Sequence, residues 1–256
     1  MKNITAIIQA RLGSTRLPGK TLMTIEGDSL IGHLVRRVKE SKYVNNIVIA
    51  TTTKEKDNAI VNFARNNDLK FYRGSEDDVL DRFYKTAIEY DVETIVRVTP
   101  DCPLLDPKIM DSVISQYIDG NYDFLCNTMP PTYPDGLDTE IFSFKTLERV
   151  WGDARKPSER EHVTSYIYNH PDLFKIYNCT NHVDISYMRW VVDEKVDYIF
   201  VAEVYKHLYK YGEIFYMNDA LDLLSKYPEL NDINKNIKRN EGYQKSLLKD
   251  KMDSRA

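Results

Sequence analysis

Apolar residues along this chain alternate between two rhythms. The run ITAIIQA (4–10) fits a strand covered on both faces. Beyond a polar stretch, Leu30, Ile31, Leu34, Val35 and Val38 recur at helical spacing and predict a helix over about 29–41, with Asp28 as N-cap. NIVIATT (46–52) is the second strand; a helix at about 56–66 leads to a short strand, KFYR (70–73). SEDDVLDRFYKTAIEY opens with acidic, cap-like residues and then sets Val79, Leu80, Phe83, Ala87 and Ile88 on one helical face. ETIVRVT (93–99) is the next strand. Asp106 and Pro107 then start a helix whose stripe is Ile109, Met110, Val113, Ile114 and Tyr117, proline being suited to the first helical position. YDFLCN (122–127) follows as a strand. Repeated β-α-β units with short connections predict an α/β fold, a Rossmann-like, doubly wound and mostly parallel sheet.

The rhythm breaks at 127–143. NTMPPTYPDGLDTEIF carries three prolines and a glycine, so it reads as a long loop running into a short strand. FKIYNCT (174–180) and YMRWVVD (187–193) look like strands and 194–209 like a helix. The expected division is one domain over 1–230, with an inserted β/loop region at about 127–190. A polar, lysine-rich tail over 231–256 has no clear core face and reads as a surface helix or a frayed end, its last few residues disordered.

Composition narrows the function classes. A net charge of −4 gives no broad basic face for nucleic acid. Three cysteines without CxxC spacing support neither a disulfide framework nor structural zinc, and suit a reducing cytoplasm. No run approaches the roughly 18 apolar residues of a membrane span.

The concentrated chemistry follows the first strand. QARLGSTRLPGKT (9–21) places Arg11, Arg16 and Lys20 beside Gly13 and Ser14. Five residues, not four, separate Gly13 from Gly19, and the next apolar helical face starts about ten residues beyond Lys20, so this is not a Walker A loop; the GxGxxG fingerprint is absent too. What remains is a cationic loop at the carboxyl end of a parallel strand, where open α/β sheets bind ligands, and its cations suit a triphosphate better than a single carboxylate.

With these residues in view, IIQARLGSTRLPGKTL resembles the start of the CMP-sugar-acid synthetase superfamily of nucleotidyltransferases, most closely its SpsF-like (spore coat polysaccharide biosynthesis) branch. Further matches are GSEDDVLDRFY (74–84), RVTPDCPLLDP (97–107), YPDGLDTEIFS (133–143), SEREHVT (158–164) and RWVVDE (189–194). The resemblance reaches to about residue 210 and implies a GT-A-like nucleotidyltransferase fold. It also implies a homodimer and a cytoplasmic cytidylyltransferase that moves CMP from CTP to an acidic acceptor for surface polysaccharide or capsule precursors.

It implies roles residue by residue. Arg11 and Lys20 would hold the β- and γ-phosphates, with Gly13, Ser14, Arg16 and Arg82 around the nucleotide. Asp101 would hold Mg²⁺, a hard cation suited to carboxylates, waters and substrate phosphates. Asp193 would be its second ligand or a helix N-cap; relatives continue from that aspartate with a proline-containing run, where this chain has DEKVD. Asp135, Asp138, Glu140, His162 and Arg189 would face the acceptor; the three acids also suit hydroxyls, an amine or a second metal, and His162 equally suits a hydrogen-bonded structural role. Pro134-Asp135-Gly136 is also a turn signal in its own right, and Ser158 with Glu161 has capping-box spacing. A glycosyltransferase of related fold, a guanylyltransferase acting on a sugar phosphate, and a non-catalytic nucleotide sensor remain open on these residues.

Overall fold

The computed structural model describes residues 3–239 and 241–253. Its chain order is β1 (Ile4–Gln9), β2 (Thr24–Ile25), β3 (Asp28–Ser29), α1 (Leu30–Lys39), β4 (Asn46–Thr52), α2 (Asn58–Asn66), β5 (Lys70–Gly74), α3 (Val79–Glu89), β6 (Thr94–Val98), α4 (Pro107–Asp119) and β7 (Phe124–Cys126). There follow β8 (Glu140–Ser143), α5 (Phe144–Asp153), α6 (Pro157–Glu161), α7 (Ser165–Asn169), β9 (Ile176–Asn178), α8 (Lys195–Leu208), α9 (Met217–Lys226) and α10 (Glu241–Asp253).

Seven strands form one sheet in the order β5-β4-β1-β6-β8-β7-β9. β5, β4, β1 and β6 are parallel neighbours, β8 runs antiparallel to both β6 and β7, and β9 returns parallel to β7. The doubly wound, mostly parallel expectation holds, with β8 as the reversal.

The apolar runs explain the layering. Successive strand side chains point to opposite faces. In β1, Ala6 and Ile8 join the core under α1 and α4, with Leu34, Val38, Met110 and Ile114. Ile7 points the other way, to Leu80 and Phe83 of α3 and Leu147 of α5. Burying a side chain such as Phe83 contributes roughly 1.5–3 kcal/mol. A third cluster joins α8 and α9 around Trp190 and Leu137.

Three local expectations are corrected. Helix α1 is capped by Ser29, whose hydroxyl accepts from Gly32 N at 3.1 Å; Asp28 pairs instead with Arg36 at 2.6 Å. Residues 187–193 form no strand: Asp135 and Arg189 make one isolated bridge, while Trp190 and Val192 pack into the α8–α9 cluster. The cap of α6 is not the Ser158–Glu161 pair. Glu159 accepts the Lys156 N–H at 3.3 Å, and the Ser158 N–H donates to Asp250 at 3.0 Å. Of the two alternatives for the tail, the helix is the one found, as α10; residues 254–256 lie outside the described residues.

Candidate active site

Strand order reverses at β1, whose neighbours are β4 on one side and β6 on the other. At this switch point the carboxyl ends of β1 and β6 open into a cavity of about 430 Å³, within the size range of small-molecule sites. Its lining holds the cations Arg11, Arg16, Lys20 and Arg82 against the carboxylates Asp101 and Glu161.

The loop after β1 is tied down by its own backbone. Leu12 N donates to Asp57 at 2.8 Å, and the Thr21 hydroxyl donates to Arg11 O at 3.1 Å. Gly19 takes the left-handed conformation, φ 74°, that lets its N–H reach back to Leu12 O at 3.2 Å. The result is a closed turn, with Lys20 held at its inner end.

Lys20 is buried. Its ammonium donates to Asp101 Oδ2 at 2.7 Å, to Asp193 Oδ1 at 2.8 Å and to Val192 O at 2.8 Å. Burial alone would lower its pKa, but the two carboxylates outweigh that and raise it. Asp193 is pushed up by burial and pulled down further by Lys20, Arg16 and Arg189, so it stays ionised. The residues expected to hold phosphate and metal, 173 positions apart in sequence, therefore meet at one point. The bond from Val192 N to Asp101 O, 2.8 Å, brings the two aspartates together.

Arg11 and Arg82 are placed differently. Arg11 donates to Glu76 O at 3.2 Å and Arg82 to Ser75 O. Among the described residues neither makes an ion pair within 4 Å, and the buried Arg82 Nε has no hydrogen-bond partner. Burial and then the charge of Arg11 depress Arg82 to about 10. Two guanidiniums that repel each other beside a cavity leave a local excess of positive charge there.

The five residues expected at the acceptor divide. His162 lines the cavity, its Nε2 3.0 Å from the Ser246 hydroxyl, which also lies 2.8 Å from Glu161 Oε2; burial lowers the His162 pKa. Asp135, Asp138, Glu140 and Arg189 lie behind the cavity in ion pairs. Arg189 pairs with Asp135 at 3.0 Å and Asp197 at 2.9 Å, Arg239 with Asp138 at 2.6 Å, and Arg97 with Glu140 at 2.6 Å. Gly136, φ 112°, lies against Trp190, where a Cβ would stand 2.7 Å from the Trp190 carbonyl carbon. Only glycine allows the approach that seats Asp135 on Arg189.

Sequence reasoning missed Asp197, Arg239 and the cavity-lining residues of α10, Gly242 and Ser246. Asp197 accepts the backbone N–H of Asp193 at 3.0 Å and of Glu194 at 2.9 Å, and so fixes the turn into α8. Its signal was the second aspartate of DEKVD. The α10 residues carried none, because a polar helix with no apolar stripe announces no partner.

Two carboxylates on one point at a cationic switch-point cavity define an α/β enzyme of the nucleotidyltransferase class. The chain belongs to the cytidylyltransferase family, whose model matches residues 5–245. It is 32% identical over 240 residues to the spore coat polysaccharide biosynthesis protein SpsF of Bacillus subtilis, covering 90% of this chain and 97% of SpsF. The structure of a cytidylyltransferase from Leptospira borgpetersenii superposes with a TM-score of 0.87 at 31% identity, covering 93% of this chain and 99% of that one. A CMP:2-keto-3-deoxy-manno-octonic acid synthetase complexed with CTP shares the fold, with a TM-score of 0.60 at 16% identity over 80% of this chain and 99% of that one. No helix among the described residues is long and apolar enough to cross a membrane.

Proposed function

We propose that this chain transfers CMP from CTP to an acidic acceptor of the sugar-acid class, releasing pyrophosphate, and acts in the cytoplasm on precursors of surface polysaccharide. The convergence of Asp101 and Asp193 on Lys20, beside a cavity lined by Lys20, Asp101, Arg11, Arg16 and Arg82, carries this reading. The likeness to SpsF supports the polysaccharide setting, and the shared fold with a synthetase complexed with CTP supports the nucleotide.

The donor set fits a magnesium ion. Asp101 and Asp193 offer hard oxygen ligands, and Mg²⁺ needs only one or two protein carboxylates when substrate phosphates complete its shell. Bound between them, it would neutralise charge on the phosphates undergoing substitution.

The chain's own residues do the rest by position and charge. Arg11 and Arg82, which form no ion pair among the described residues, take phosphate oxygens. Arg16 and Lys20 exchange carboxylate oxygens for phosphate oxygens as the triphosphate enters. An acceptor oxygen attacks the α-phosphorus in line with the bridging oxygen to the β-phosphate. The new P–O bond forms as the bridging bond breaks, and its electron pair leaves on pyrophosphate, held by the same cations. His162, neutral in its buried position, faces the acceptor side with Ser246 and Glu161. A homodimer would use the segment after β9, where Val183 and Tyr187 are exposed.

The test is pyrophosphate release from each of the four nucleoside triphosphates with a panel of sugar acids, sugar phosphates and phosphonates. CTP with a sugar acid is the expected pair. Turnover of GTP with a sugar phosphate, or of a nucleotide-sugar without pyrophosphate release, would replace this reading.

A further inference from the structure

A lysine ammonium has three donors and no acceptor. All three donors of Lys20 are spent inside the protein, on Asp101 Oδ2 at 2.7 Å, Asp193 Oδ1 at 2.8 Å and Val192 O at 2.8 Å. In this state Lys20 has none left for a phosphate. It also stands on the point where the two carboxylates converge.

Asp193 is neutralised from two further directions. Arg16 reaches its Oδ2 at 2.8 Å and Arg189 at 3.3 Å. A divalent ion approaching these aspartates meets three side-chain cations already bound there. The arrangement is self-sufficient: ammonium and carboxylates satisfy each other in a half-buried place, where charges are screened less than at the surface.

A triphosphate changes the balance. Lys20 and Arg16 both line the cavity, where phosphate oxygens would compete with the aspartates for their N–H donors. If phosphate draws off Lys20 and Arg16, Asp101 loses its ammonium partner and Asp193 keeps only Arg189 at 3.3 Å.

We propose that Lys20 is a resident counter-cation that keeps divalent metal out of the Asp101–Asp193 pair until a nucleoside triphosphate draws it off, so that metal and CTP bind together and the empty enzyme holds no metal. This rests on the assignment of Asp101 and Asp193 as metal ligands under the proposed function. It adds an order of binding, with Lys20 serving first the carboxylates and then the phosphates.

The test uses Mn²⁺ as probe and the full chain, with unbound ion counted by electron paramagnetic resonance and corrected for chelation by CTP. Wild-type protein without nucleotide should bind Mn²⁺ at this site at least roughly tenfold more weakly than with CTP, and Lys20→Met should gain roughly tenfold or more in nucleotide-free affinity. The gain should vanish when Asp101→Asn is added to Lys20→Met. Nucleotide-free wild type that binds Mn²⁺ as tightly as the CTP complex overturns the inference and leaves the cytidylyltransferase reading standing; that measurement needs no variant, so it decides even if Lys20→Met fails to fold. A folded Lys20→Met protein with no gain, or a gain that survives Asp101→Asn, also overturns it. No Mn²⁺ bound even with CTP overturns it together with the metal assignment.

Discussion

Arg82 and Arg189 are both almost fully buried, yet they sit in opposite electrostatic surroundings. Arg82 has a backbone carbonyl and an unpartnered Nε, and burial next to Arg11 depresses it to about 10. Arg189 is also penalised by burial, but it is enclosed by Asp197, Asp135 and Asp193, and its pKa is raised. A buried cation left short of partners is costly to the fold and marks a place where a ligand supplies the missing charge. A saturated one marks architecture. Buried Arg82 belongs to the first kind, with the partly buried Arg11 beside it; buried Arg189 belongs to the second, as do the partly buried Arg97 and Arg239, each in a carboxylate pair. Lys20 is the link, saturated without ligand yet lining the cavity.

The difference can be broken from either side. Asp101→Asn should lower turnover by about a thousandfold or more, because it removes charge stabilisation at the reacting phosphate, with the melting temperature little changed. Steady-state pyrophosphate release and a thermal melt on the same sample check it, and a fully active variant removes Asp101 from the chemistry. Arg189→Met should act on the other account: it strands the fully buried Asp197 and costs about 3–5 kcal/mol of stability, read by urea unfolding. An unchanged unfolding free energy would move Arg189 from architecture to ligand binding.

Arg82→Met sharpens the contrast. It should weaken CTP binding by roughly tenfold, measured calorimetrically, and leave stability within about 1 kcal/mol of wild type, since no carboxylate is stranded. A large loss of stability would show Arg82 to be structural after all.

The smallest effect concerns pH. Burial, and then the neighbouring Asp138, lift Asp135 to about 7 despite Arg189 and Arg239. A carboxyl whose pKa is higher folded than unfolded binds more protons when folded, so its contribution to stability falls as pH rises from about 4 to about 7. Asp135→Asn should remove that slope, about 1–2 kcal/mol across the window after allowance for the group's residual exposure, in urea melts at a series of pH values. An unchanged slope would mean that Arg189 and Arg239 keep Asp135 ionised throughout.

Much of this contrast was legible beforehand, and unevenly. The loop after β1 was readable because its chemistry is local: Arg11, Gly13, Ser14, Arg16 and Lys20 lie within one turn of chain after an apolar strand. Asp101 was readable for the same reason, as the first acid beyond the strand ending at Val98. YMRWVVD was misjudged as a strand because its alternating apolar positions bury as well against α8 and α9 as they would in a sheet. Asp135, Asp138 and Glu140 could not be sorted into ligands or ion pairs, since their partners Arg189, Arg239 and Arg97 lie 54, 101 and 43 residues away.

The sequence by itself determined the layered α/β fold and the place of the cationic turn after β1, because both depend on periodicity and on side chains within a few residues of each other. Tertiary structure alone decided which charges are satisfied. Whether a buried arginine or lysine finds a carboxylate is set by contacts between distant segments, and the fall in dielectric on burial then gives the presence or absence of each partner its weight.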